Sequence, residues 1–162
     1  MTRFYKFPLL SVILICVIFT SCDHNVVFEQ NVKMPENRWD MNQPVKLEAD
    51  IKDTISPNNI YINVRNAGGY AFSNLFLFLS TQTPDGKTER DTIELTLADA
   101  NGRWLGDGMG DIWDNRILFK KNFRFPSSGI YKFEMQQAMR LNPLPQIMDA
   151  GIRIERSKSD AN

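Results

Sequence analysis

The 162-residue chain sets 19 Lys plus Arg against 19 Asp plus Glu and is 43% hydrophobic, enough for one domain and hardly for two. Zero net charge, with no basic or acidic block, leaves no electrostatic footprint for a nucleic-acid backbone. The single histidine, His24, and both cysteines, Cys16 and Cys22, fall within the first 24 positions, so residues 25–162 hold no imidazole and no thiol. That excludes a His-relayed nucleophile, a Cys/His zinc site and an internal disulfide from the body of the protein. Carboxylates, lysines and tyrosines remain for chemistry, no cofactor is implied, and stability has to come from the core.

Arg3 and Lys6 precede an apolar run from Leu9 to Phe19 that only Ser11 interrupts. A run of about eleven residues fits a secretory signal and falls short of the roughly 18 to 20 that a spanning helix needs. It ends in Phe19-Thr20-Ser21-Cys22, which resembles a bacterial lipobox; Phe19 stands where Leu is commoner and supplies the same bulk. The expectation is removal of residues 1–21 with Cys16, lipidation of Cys22, and a short tether over 22–25. The alternative is a conventional signal peptide that leaves Cys22 as a stray thiol. An exposed unpaired cysteine is a liability in an oxidising compartment, whereas several acyl chains exceed what stable membrane attachment requires. Loss of Arg3 and Lys6 leaves a mildly acidic domain, so the lipid, not overall charge, is expected to hold it to the membrane.

Residues 26–156 are expected to form one antiparallel β-sandwich of about eight strands, Greek-key or jelly-roll in wiring, followed by a frayed tail over 157–162. Val45, Leu47, Ala49 and Ile51 alternate with charged residues, and Ile60, Ile62 and Val64 with Tyr61, Asn63 and Arg65, as half-buried strands do. Leu75 to Leu79 is apolar on both faces and should be covered on both sides or lie inside a sheet. Thr83-Pro84-Asp85-Gly86-Lys87 is a turn, and Ile93, Leu95 and Leu97 return from it to close a hairpin. A Gly/Asp loop then leads to Ile117 and Phe119, Phe123 and Phe125, and a turn at Pro126 to Gly129. Tyr131, Phe133 and Met135 mark the next strand, with Met135 to Met139 at the core edge. Residues 138–148, with two prolines, read as an excursion with at most one helical turn. Ala150, Ile152 and Ile154 form the last strand.

The loop from Asp99 to Asn115 is the most unusual stretch, with four carboxylates, four glycines and two tryptophans. Asp107, Asp111 and Asp114 could offer hard oxygen ligands to calcium, but their spacing is not that of a helix-loop-helix calcium loop. The preferred reading is that the glycines permit tight turns while Asp and Asn bond nearby backbone. Trp104 and Trp113 with Tyr61 or Tyr70 could stack sugars, although such aromatics more often pack on the core. Two loop carboxylates could serve as the acid and base of a glycoside hydrolase, but nothing marks a particular pair. Arg103, Trp104 and Trp113 are candidate anchors for a protein partner, because Trp and Arg are enriched at interface hot spots.

Seven segments together resemble the gliding-motility lipoprotein family GldH: Tyr61-Ile62-Asn63-Val64-Arg65-Asn66; Tyr70-Ala71-Phe72-Ser73-Asn74-Leu75-Phe76-Leu77; Asp91-Thr92-Ile93-Glu94; Gly102-Arg103-Trp104-Leu105-Gly106-Asp107-Gly108-Met109-Gly110-Asp111; Phe125-Pro126-Ser127-Ser128-Gly129-Ile130-Tyr131; Gln136-Gln137-Ala138-Met139-Arg140; and Gly151-Ile152-Arg153-Ile154-Glu155. They run in order through nearly the whole mature chain. The resemblance implies a non-enzymatic, membrane-anchored envelope lipoprotein that works with other lipoproteins and the motility-linked secretion apparatus. It carries over Cys22 as the lipid-bearing residue and no catalytic residue. Asp23-His24-Asn25-Val26-Val27 lacks an acidic run that would suggest surface display, so the domain is expected to face the periplasm. A glycan-binding lipoprotein of a polysaccharide-uptake system is the competing expectation, and a carboxylate hydrolase the third.

Overall fold

In a computed structural model, residues 25–157 are described; the expected signal segment, Cys22 and residues 158–162 lie outside the described residues. The described residues form eleven strands: β1 Val26–Lys33, β2 Arg38–Trp39, β3 Val45–Ile51, β4 Asn58–Ala67, β5 Asn74–Gln82, β6 Thr88–Thr96, β7 Asp107–Met109, β8 Ile112–Phe123, β9 Gly129–Gln137, β10 Leu144–Pro145 and β11 Ile147–Arg156. Eight are long, and β2, β7 and β10 are pieces of two or three residues. The helical content among the described residues is one 3-10 turn, Pro35–Asn37.

One sheet has the order β1-β11-β4-β8-β7 and the other β3-β9-β5-β6, with every pairing antiparallel. Numbered 1 to 8 along the chain, the long strands read 1-8-3-6 in the first sheet and 2-7-4-5 in the second. This is the wiring of a jelly roll, the more specific of the two expected alternatives. Its crossing connections gather at two ends. The chain enters β1 at the near end, beside the 52–57, 83–87 and 124–128 connections; the far end carries 68–73, 97–106 and 138–146.

The core lies between the sheets. Val45, Leu47, Ala49 and Ile51 of β3 face inward with Leu75, Leu77 and Leu79 of β5 and Tyr131, Phe133 and Met135 of β9; Ile60, Ile62 and Val64 of β4 and Ala150, Ile152 and Ile154 of β11 answer from the other sheet. Period-two alternation produces this directly, because successive side chains point to opposite faces. The β5–β6 hairpin closes as expected, with Thr83 N–H donating to Lys87 O at 2.8 Å and Gly86 N–H to Thr83 O at 2.9 Å.

Three sequence readings are refined. β5 lies inside its sheet, but its outer face is only partly covered: the Arg90 guanidinium sits 4.4 Å from the Phe78 ring centroid, while Phe76 remains exposed. The 138–148 excursion contains no helical turn. It turns through a cis Asn142–Pro143 bond and returns as β10, which pairs with β2 and sets Leu144 opposite the fully buried Trp39. The Gly/Asp loop is the third case. Its second half is a hairpin, β7 to the start of β8, turned at Gly110 with φ +63°. Strand signal is weak there because buried Asn66 and Asn115 occupy inward positions: Asn115 Nδ2 donates to Asn66 Oδ1 at 2.9 Å and to Val64 O at 3.1 Å.

Candidate functional site

The 99–115 segment is built around Asp99. Its Oδ1 accepts the N–H groups of Asn101 and Arg103, each at 2.9 Å, and its Oδ2 accepts from Arg103 Nε at 3.2 Å. The Arg103 backbone N–H, more than any other group, holds this carboxyl below the usual carboxylate range. Gly102, at φ +78°, completes the turn by donating to Asp99 O at 3.0 Å. Arg103 points to solvent. Trp104 is half-buried against the core and meets the Tyr70 ring at 6.4 Å between centroids. Tyr70 is buried, with its hydroxyl donating to Asn74 O at 3.0 Å, and burial pushes that hydroxyl's pKa upward.

Trp113 crosses Gly108 of β7, where a Cβ would fall 2.4 Å from the indole; the glycine creates the space for the ring. Leu105 and Met109 of the same segment are exposed, Met109 at 81%. The two tryptophans therefore share a far-end segment with two displayed apolar residues. Tyr61 does not join them, because it lies on the outer face of the five-stranded sheet, opposite Arg153 and Leu118.

The three aspartates considered for calcium do not converge. Asp107 and Asp114 face each other across β7 and β8, Asp114 is paired to Arg65 Nε at 2.5 Å, and Asp111 sits in the turn with its side chain beside Gly68. Among the described residues, no group of three acidic, His or Cys side chains is placed to hold a metal ion.

A second polar constellation, not anticipated as a site, covers the outer face of the five-stranded sheet. One cross-strand row runs Lys33, Asp149, Arg65, Asp114, Asp107, and the next runs Asn31, Gly151, Asn63, Arg116. Arg65 bridges Asp114 and Asp149, the latter at 3.3 Å. Burial raises the Asp149 pKa, and the nearby Arg65 partly counters that. Arg153, nearly buried, pairs with Glu29 on one side and with Glu155 on the other, each close enough to hydrogen-bond. Asn63 reaches across Gly151 to donate to Glu29 Oε1 at 2.9 Å and Asn31 Oδ1 at 3.2 Å. The rows border a polar depression of about 420 Å³. The sequence signal for this face is the alternation of Asp149, Gly151, Arg153 and Glu155 with the inward Ala150, Ile152 and Ile154 along β11, a strand pattern with no catalytic spacing.

Comparison with known proteins decides the family. The GldH lipoprotein family model matches residues 26–154, from the first residue of β1 nearly to the end of β11. The chain belongs to the GldH lipoprotein family. It is 38% identical over 148 residues to a gliding motility lipoprotein GldH homolog of Christiangramia forsetii, covering 87% of this chain and 90% of the relative. It is 31% identical over 151 residues to the gliding motility lipoprotein GldH of Flavobacterium johnsoniae, covering 89% and 93%. No solved structure matches the chain. Membership makes this a membrane-associated envelope lipoprotein of the gliding-motility type, and the matched span coincides with the jelly roll.

Proposed function

We propose that this protein is anchored through a lipid on Cys22, faces the periplasm, and acts by protein–protein contact within a motility and secretion assembly, without a catalytic centre. Partners are engaged through the far end of the sandwich, where Arg103, Trp104 and Trp113 share one segment with the exposed Leu105 and Met109. The carrying observation is that exposure: Leu105 is 54% and Met109 81% accessible on the segment that also carries two half-buried indoles and the glycines that shape it. Large apolar side chains gathered beside Trp and Arg have the composition of an interface centre. The far end is also the one opposite the start of β1, so a domain held at its first residues presents it away from the lipid.

The test is crosslinked capture of the anchored protein from its own envelope. A Leu105→Asp/Met109→Asp protein is expected to lose the captured partner and fail to complement the deletion phenotype while keeping its β-sheet circular dichroism. Asp107→Asn and Asp111→Asn proteins are expected to keep both. A folded, lipidated Asp111→Asn protein that loses function while retaining every crosslinked partner argues for chemistry in place of binding.

A further inference from the structure

The near end carries several cations and one displayed isoleucine. Ile55 is 83% exposed at the tip of the β3–β4 connection. The tip is held rigidly: Asp53 Oδ1 accepts the N–H groups of Ile55 and Ser56 at 2.9 and 3.0 Å, and Arg124 Nε donates to Ile55 O at 3.0 Å. Arg156 lies close enough to Asp53 to act on its carboxyl, and Ser157 N–H donates to Pro57 O at 2.9 Å, tying the end of β11 to the same connection. Lys121 and Arg156 line one depression at this end, and Lys120 lies over the Phe119 and Phe123 rings, 5.1 Å from each. Lys52 and Lys87 are paired with Asp50 and Asp85, and Arg156 faces the Asp53 carboxylate, so that Lys120, Lys121 and Arg124 join Arg156 as the further cations at this end of the sandwich.

The chain enters at this same end, where Asn25 O accepts the Arg156 N–H at 2.8 Å. Two residues, Asp23 and His24, separate Asn25 from Cys22, and the three Cα–Cα steps between them span at most about 10 Å. The cationic wall of β8 lies three strands from β1, about 15 Å across the sheet. An anchor at Cys22 thus brings the whole end within reach of the headgroup layer. Overall charge does not show this, because strand pairing brings Arg156 to the same end as Lys120, Lys121 and Arg124.

We propose that this end rests on the bilayer, with Ile55 among the lipid headgroups and Lys121, Arg124 and Arg156 against anionic ones, so that the sandwich stands with its far end away from the membrane. The inference rests on Cys22 as the anchor. A single exposed isoleucine adds little affinity, but with lipid attachment already holding the protein, a few cations and one apolar residue suffice to set orientation.

The test uses the full lipidated protein in vesicles of phosphatidylethanolamine, phosphatidylglycerol and a lipid with a nitroxide headgroup. A thiol-reactive fluorophore is placed on Ile55→Cys or Met109→Cys, where lipidation has consumed the native Cys22 thiol. The expected result is strong quenching at position 55 and little at 109, with the difference lost in a folded Lys121→Glu/Arg156→Glu background. Equal quenching at both positions in protein that floats with the vesicles overturns the orientation alone. Protein that does not float overturns the anchor and the orientation with it.

Discussion

Gly151 shows what one missing methyl group permits. It sits on β11 between Asn31 and Asn63, and a Cβ there would fall 2.1 Å from both Gln30 O and Asn31 Oδ1. The Gln30 contact is backbone, so relief requires β1 and β11 to separate, and the Asn63 bridge to Glu29 depends on the same gap. Gly151→Ala is therefore expected to cost about 1–3 kcal/mol as overpacking does, read as a lowered melting temperature. Gly69→Ala is the control: its Cβ would meet nothing closer than 3.6 Å, and a change within about 0.5 kcal/mol is expected. Equal melting temperatures for the two variants would contradict the strand-separation argument.

The β3–β4 connection is the element whose shape depends most plainly on one ionised group. Hydrogen bonds from Ser56 and the Ile55 N–H hold the Asp53 pKa down from the ordinary 3.8 to about 2. Because the folded value lies below the unfolded one, the ionised carboxylate stabilises the fold above the unfolded pKa, and this contribution disappears as pH falls from 3.8 to about 2. Asp53→Asn should flatten the loss of stability across that window and leave the pH dependence above it unchanged, as measured by denaturation at a series of pH values. A wild-type slope retained in the variant would assign the acid sensitivity to other carboxylates. Asp85, also held at about 2 through Thr83 and Lys87 in the β5–β6 turn, is the group to replace next.

At the scale of the whole molecule, both sheets close on an apolar core, and no cysteine follows Cys22 in the sequence. The mature domain made without its lipid is expected to give a β-dominated circular dichroism spectrum and the same melting temperature with and without chelator. A large loss on chelation would show that Asp107 and Asp114, like charges placed opposite each other, are held together by a cation; such pairs otherwise destabilise a sheet. The same scale gives the jelly roll two unlike ends, one cationic beside the chain start and one apolar beside the tryptophans.

By itself, the sequence determined which side chains face inward along β3, β4, β9 and β11, because alternation is a local property of extended chain. It determined the β5–β6 hairpin, because Pro84, Asp85 and Gly86 encode that turn within five residues. Exclusion of imidazole and thiol chemistry followed from composition, and the family resemblance from segments in order. Only the tertiary structure decided which strands are neighbours, since pairing of β1 with β11 joins residues more than a hundred positions apart and leaves no local trace. The β7–β8 hairpin stayed hidden for a related reason: β7 is an exposed edge strand, and an asparagine pair, not an apolar one, joins the start of β8 to β4. The polar lattice over Gly151 and the cationic near end belong to the same class. Each gathers residues that sequence separates and that only strand order and register bring together.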